Sequence, residues 1–413
     1  MLPRRVSMRE CFIILAHVPT DSVTDGFIPA IRRRGLPLLV MTDQPERHQT
    51  LIDQQHLAPD ELLPVDVFNP LAVLNALAQY RVTPLAVFSN SDHLQTATSI
   101  VADFHGLPGK DWRACLRAKN KLMMRETLRA AGLESPWFRC VIHPQELTTV
   151  PLPCVVKPVE GVASEHVSLA RTREELDHAC RRYWHHHPDQ ALLLEEYLPG
   201  PLYTLETLGD GERLEVMGSF ETFLSAPPAF VELGQRLRRR AAPEVEGHLR
   251  AQLAALGVGF GSCHSEFVLT KQGPRLIEVN YRNIGDRSDF LLAQALCLDL
   301  FQAVIGLFLG EPLPALPDAA HSARIHCQTA NAGGTVVQVP DACRIERDGC
   351  AVEFRPLCRA GERIEPQHSN RDYLALLYGT GPCEATLSEL MDSLAADLAI
   401  GVAPLTRDEE AIA

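Results

Sequence analysis

"RLIEVNYRNIGD", residues 275–286, decides how this chain folds. Leu276, Ile277 and Val279 are strand formers, yet Glu278, Asn280 and Arg282 interrupt them at every second position. Alternate side chains of a β-strand share a face, so an acid, an amide and a guanidinium stand in a row. Just upstream, "HSEFVLT" (264–270) alternates too, with His264, Glu266 and Val268 on one face. Gly273-Pro274 ends a short loop between the two runs, which predicts a hairpin. A three-residue loop sets Glu266 opposite Glu278 and His264 opposite Asn280, with Cβ atoms about 5 Å apart. Facing carboxylates repel and raise each other's pKa unless a cation sits between them. Two carboxylates with an amide oxygen make a hard oxygen site, of the kind Mg²⁺ uses together with substrate phosphates. A solvated hairpin with scattered polar residues fits the same twelve residues equally well, so the rest of the chain must decide.

A phosphate site needs cations and closely approaching backbone N–H groups. Lys157 closes the apolar run "PCVVK" and precedes "PVEGVASEHV", where Gly161, Ala163 and Ser164 let main-chain donors come near an anion. Lys121 follows a helical turn in "RAKNKLMMRETLRAAG" and by itself reads as a solvated helix residue. Two other nucleotide signatures fail. "GLPGKD" lacks the first glycine of a phosphate-binding P-loop, and Asp111 stands where Ser or Thr would hold Mg²⁺. "GVGFGS" (257–262) follows a helix and ends in Ser262 where a dinucleotide fingerprint needs Gly.

With 413 residues, 46% of them hydrophobic and 22% charged, the composition is that of a globular chain of two to four domains. A net charge of -13 argues against a nucleic-acid partner, because no basic excess exists to displace counterions. The one basic cluster, Arg236–Arg240, reads as a solvated helix face. The 12 cysteines form no CxxC, which points to reduced thiols and a cytoplasmic location. No secretory signal and no apolar run of membrane-spanning length is visible, so no membrane partner is expected. "HHH" at 185–187 reads as a loop after a helix rather than a metal site.

Along the chain, "CFIILAHVP", "LPLLVMT" and "PLAVFSN" read as strands separated by helices near Ile28–Arg34 and 70–80, the rhythm of a parallel α/β sheet. "TREELDHACRRYW" is a helix with Thr172 as N-cap and Glu175 at the capping-box position. Strands dominate 203–281, broken by one helix at 243–256. The apolar stretch 290–309 is a long helix or helix pair, read as core, with a homodimer face as the alternative. The expected division is an α/β domain over 1–112, a second domain over 113–310 with a lid near 135–195, and a C-terminal α+β module over 311–413.

In order, "NKLMMR" (120–125), "VVKPVEGVAS" (155–164), "LLLEEYLPGP" (192–201), "SEFVL" (265–269) and "GPRLIEVNYR" (273–282) resemble the ATP-grasp superfamily of carboxylate–amine ligases. The resemblance runs from about 110 to 310. "PPAFVELG" (227–234) and "GLPGKD" look like the branch that holds L-amino-acid (dipeptide) ligases and secondary-metabolite ligases. It implies an ATP-grasp fold, mixed α/β and α+β, preceded by the parallel-sheet domain and followed by the C-terminal module. By position, it implies that Lys121 and Lys157 hold ATP phosphates under a loop carrying Gly161 and Ser164. Glu195, Glu196 and Leu198 would face the adenine. Glu266, Glu278 and Asn280 would hold Mg²⁺, usually two ions, with Mn²⁺ as an alternative metal, and Arg282 would stabilise an acyl phosphate. Leu202 stands where the family often has a ribose-binding Glu, leaving Glu206 as a substitute, and Glu232 either faces a substrate amine or is a solvated loop acid. The expected function is an ATP-dependent ligase joining small-molecule carboxylate and amine substrates. A non-amine acceptor or a catalytically silent nucleotide-binding scaffold are the alternatives.

Overall fold

The computed structural model describes residues 9–55, 59–133, 136–238, 241–330 and 332–404. Its first sheet is parallel and four-stranded: β1 (Arg9–Leu15), β2 (Leu38–Thr42), β3 (Glu61–Pro64) and β4 (Val82–Phe88), in the order β3-β2-β1-β4. These strands are continuous apolar runs because helices cover both faces of such a sheet, and all five residues of β2 are buried. The sequence pattern predicts only three of the four. The helix Pro45–Gln55 and the strand β3 escape it, because the helix is polar and β3 is four residues ending in proline.

The second sheet is antiparallel: β5 (Phe138–Val141), β6 (Cys154–Pro158), β7 (Ser168–Ala170) and β8 (Leu192–Glu196), ordered β5-β8-β6-β7. The helix Arg173–His186 packs on one face, and its Thr172/Glu175 capping box forms as the sequence predicts. His185 and His186 lie in its last turn and His187 is its C-cap, so the histidine run is helix end rather than free loop. Alternation along β6 sends Cys154 and Val156 into that core, and Val155 and Lys157 to the opposite side.

The remaining strands are β9 (Leu202–Asp210), β10 (Leu214–Leu224), β11 (Glu232–Arg238), β12 (Phe260–Thr270), β13 (Gly273–Asn280), β14 (Ser322–Thr329), β15 (Gly334–Gln338), β16 (Cys343–Arg347), β17 (Cys350–Pro356), β18 (Arg363–Ile364), β19 (Tyr373–Gly381) and β20 (Gly401–Ala403). Nine of them form one sheet, β13-β12-β9-β10-β11-β14-β19-β17-β16, while β18-β15-β20 form a small fourth sheet. The nine-stranded sheet runs without a break across residue 310, because β11 pairs with β14. Arg236 and Arg238 belong to β11, not to a helix: they share one strand face and grip Glu221 and Glu384. Residues 239–240 lie outside the described residues.

The helices Ser288–Leu296 and Leu300–Phe308 are bent by 101° and largely buried. They fill the space between the first sheet and the nine-stranded sheet, with Phe301 against Phe27 and Phe308 against Phe88. The apolar stretch 290–309 is therefore core. No single helix among the described residues is long and apolar enough to cross a membrane.

Candidate functional site

The opening hairpin is β12–β13, and its pairing is the predicted one: Glu266 faces Glu278 and His264 faces Asn280. The route to that pairing differs from expectation. Thr270 pairs with Gly273, leaving a two-residue turn, and the register shifts between Glu266 and Phe267 so that Ile277 is an unpaired bulge. Without the bulge Glu266 would face Ile277, and a one-residue slip turns every side chain beyond it to the other face. The bulge also lays Ile277 into an open cleft of about 1060 Å³ between the second sheet and the nine-stranded sheet.

One end of this cleft is rich in cations. Lys121, Arg125 and Lys157 are all buried, Arg125 at 0% exposure. Arg125 sits on the helix Lys121–Ala130 and grips Glu195 of β8 with two bonds, 2.7 and 3.1 Å, and the Leu276 carbonyl with a third, 2.6 Å. Lys157 approaches the same carboxylate at 2.6 Å. Burial would raise the Glu195 pKa, but the two cations outweigh it and hold Glu195 at about 2. Lys157 moves the other way from what one ion pair would produce. Burial lowers it first, and Arg125 and Lys121 push it further down against the pull of Glu195. The carboxylate is shared: Arg125 makes two bonds to it and Lys157 one. Lys121 bonds Glu278 at 2.8 Å, and although burial opposes it, that carboxylate raises its pKa.

The other end is rich in acids. Glu232, at the start of β11, lines the cleft beside Glu266. Burial, then repulsion from Glu266 and Asp286, pushes Glu232 up to about 7. Glu266 does not follow: against burial, His264 holds it below the usual carboxylate range, helped by Lys121 and Arg282. The elevation expected of a facing carboxylate is thus absent at Glu266, and each of the two has a cation at hand, Lys121 for Glu278 and His264 for Glu266. His264 is itself clamped by Glu206 at 2.8 Å. Burial opposes the charged ring, but Glu206 and Glu266 hold it up at about 10.

Of the expected residues, Lys121, Lys157, Gly161, Ser164, Glu195, Glu196, Leu198, Glu266 and Glu278 line this single cleft. Glu195 does so with both oxygens engaged by cations, so its side chain holds Lys157 in place. Glu196 accepts from the Trp137 N–H. Asn280 is buried opposite His264, and Arg282 donates to the Asn283 carbonyl at 2.8 Å. Glu206 cannot reach a ribose: it is 1% exposed and turned onto His264. Leu202 does line the cleft, with Val155, Val268 and Ile277, as apolar walls fit for a flat ring. Arg125 stands within "NKLMMR" with no role that the sequence assigns, and the Glu206–His264 clamp and Asn370, which bonds Glu232, carry no local sequence signal.

For a divalent cation, no group of three His, Cys, Asp or Glu among the described residues comes close enough to bind one alone. Glu266 and Glu278 do face each other, with the Asn280 amide on the same strand face. Such a two-carboxylate, hard oxygen set fits an ion that takes its remaining oxygens from phosphates and water, as Mg²⁺ does.

Residues 118–286 match the ATP-grasp domain family. This is an ATP-grasp fold. The whole chain superposes on the crystal structure of the L-amino acid ligase from Bacillus licheniformis with a TM-score of 0.77 and 19% identity, covering 97% of this chain and 100% of that one. In sequence it is 25% identical over 419 residues to an uncharacterized protein of Sinorhizobium fredii, covering 97% of this chain and 84% of that protein. It is 28% identical over 331 residues to carnosine synthase 1 of Gallus gallus, covering 73% of this chain and 35% of the synthase, so it spans about a third of that protein. The ATP-grasp match contains the hairpin, both lysines and the loop over the cleft.

Proposed function

We propose that the chain is an ATP-dependent ligase joining a carboxylate to an amine through an acyl phosphate. The observation that carries this reading is one cleft that brings the buried Lys121 and Lys157, the facing Glu266 and Glu278, and the apolar Val155, Leu202 and Ile277 together. A nucleotide would set its phosphates against the two lysines, with its base between Val155, Leu202 and Ile277. Glu266, Glu278 and Asn280 would hold Mg²⁺, which supplies neutralisation of phosphate charge. Two ions, or Mn²⁺, suit the same oxygens.

The chemistry asks little covalent work of the protein. A carboxylate oxygen of the donor bonds to the γ-phosphorus, the bond from that phosphorus to the β–γ bridging oxygen breaks, and ADP leaves. The amine nitrogen then attacks the acyl carbon, phosphate leaves, and the amine proton passes to a base. Positioning and charge stabilisation dominate such transfers. Lys121 and Lys157 meet the phosphates, Arg282, whose charge acts on both Glu266 and Asp286, would stabilise the acyl phosphate, and Glu232 has the elevated pKa of a group able to take an amine proton. The similarity to L-amino acid ligase and carnosine synthase favours amino-acid-like substrates. The expected setting is a cytoplasmic enzyme of peptide-like metabolite synthesis.

ADP release with pooled amino acids as donors and acceptors, with and without Mg²⁺, tests this. Release that needs Mg²⁺ and both substrates supports it. Release with a donor and a hydroxyl acceptor moves the reaction to ester formation, and absence of release with tight nucleotide binding makes the chain a scaffold.

A further inference from the structure

The loop from Val159 to Val167 that borders the phosphate end holds a costly shape. Ala163, Ser164 and His166 all have positive φ, 54°, 55° and 58°, which side chains beyond Gly adopt only when the surroundings force them. The force comes from the far end of the chain. The Asn370 N–H donates to the Ala163 carbonyl at 2.9 Å, and Arg371 Nε donates to Glu165 Oε1 at 3.1 Å. The side chain of the same Asn370 bonds the other end of the cleft twice. Its Oδ1 accepts from the Glu232 N–H, and its Nδ2 donates to Glu232 Oε1, each at 2.9 Å. The turn that presents these groups is rigid, because Ser369 and Asp372 cap each other reciprocally. Just past the loop, the Leu169 N–H bonds the Pro228 carbonyl in the segment leading to Glu232.

We propose that Asn370 is a positioning residue that couples the loop over the phosphate end to Glu232 at the acid end. The loop keeps its strained shape while the Glu232 segment is seated, and an acceptor that seats Glu232 thereby fastens the loop over the nucleotide. This gives the C-terminal strands and their turn a task in the reaction. The coupling to nucleotide rests on the proposed ATP site; the fastening of the loop does not.

Hydrogen exchange of the segment 159–168 in the ligand-free protein reads the fastening directly. Asn370→Ala keeps the main-chain bond to Ala163 but removes both side-chain bonds to Glu232, and through them is expected to speed loop exchange about tenfold, the scale of one or two lost hydrogen bonds, while β1 to β4 exchange as before. Arg371→Glu, on the surface, faces Glu165 with a like charge and should speed the loop about threefold, while Arg371→Lys stays near the parent. In the active protein, Asn370→Ala raises KM for ATP and for the acceptor together with kcat changed less than either; a merely structural role lowers kcat by loss of folded protein and leaves both KM values alone. Loop exchange unchanged in both Asn370→Ala and Arg371→Glu overturns the proposal. If Asn370→Ala loosens the first sheet as well, the Arg371→Glu and Arg371→Lys pair decides. Added ATP with Mg²⁺ that fails to slow the loop in the parent sinks the nucleotide reading, and the ligand-free comparison still decides the fastening.

Discussion

The two ends of the cleft are built with opposite charge errors. At the phosphate end three buried cations, Lys121, Arg125 and Lys157, meet two carboxylates, Glu195 and Glu278. At the acid end Glu232 and Asp286 add their charge to Glu266, whose one histidine partner, His264, Glu206 already holds. Burial makes each imbalance expensive, and the pKa values lean accordingly: Lys157 down and Glu232 up, each towards its neutral form. A protein selected for stability alone would pair these charges. This one leaves a cation short of an anion at one end and acids short of a cation at the other. Ligands of opposite sign are the simplest completion, an anionic phosphate chain on one side and a metal ion or ammonium on the other.

The hairpin joins the two ends, so breaking it has the largest expected effect. Glu278→Gln keeps the shape and removes the charge shared by Lys121 and the proposed metal. Turnover is expected to fall about a thousandfold, the upper range for losing one electrostatic group at a reacting centre. The ligand-free protein should also melt lower, by about 1–3 kcal/mol, because the buried Lys121 loses its partner. A mutant that melts with the parent and still turns over with Mg²⁺ would remove Glu278 from the site.

Arg125 and Lys157 share Glu195 but should fail differently. Arg125→Ala leaves Glu195 to Lys157 alone and the Leu276 carbonyl without its donor in the interior, and about 3–5 kcal/mol of stability is expected to go with it. Lys157→Ala leaves Glu195 with Arg125, so the fold should hold. Nucleotide affinity should drop about a hundredfold, as when one member of a buried charge contact is truncated. Calorimetric titration beside thermal melts separates the two, and equal losses of stability would show that Lys157 is structural.

Much of this was legible in "RLIEVNYRNIGD". Period-two polarity placed Glu266 against Glu278 correctly, even though the loop length was wrong, because the Ile277 bulge compensates for a turn one residue shorter. A bulge leaves no mark in alternation until the partner strand is known. Arg125 was hidden for another reason: a guanidinium on a short helix is usually solvated, and only the approach of β8 and β13 buries it. Asn370 lies 138 residues from Glu232, and nothing local in "SNRD" foretells the contact. The basic cluster Arg236–Arg240 suggests a helix surface by charge density alone, whereas the alternation of Arg236 and Arg238 fits β11.

The smallest expected effect probes the acid end alone. Glu232 faces Glu266 and His264 on β12, Asp286 after β13, Tyr373 on β19, and the amides of Gln235 and Asn370. Its folded pKa, about 7, exceeds that of an exposed glutamate, so the folded state binds the extra proton. The stability this gives is complete below the unfolded pKa, near 4.3, and drains away as pH rises through 7. Glu232→Gln has no such proton to lose. The mutant should therefore melt close to the parent at pH 5 and a few degrees above it at pH 8, with the gap opening between. Saturating Mg²⁺ and nucleotide should narrow the gap, because neutralising Glu266 removes the main repulsion on Glu232. A gap that stays flat from pH 5 to 8 would mean that Glu232 is ionised throughout, and the acid end would then hold a resident cation where the proposed mechanism needs a base.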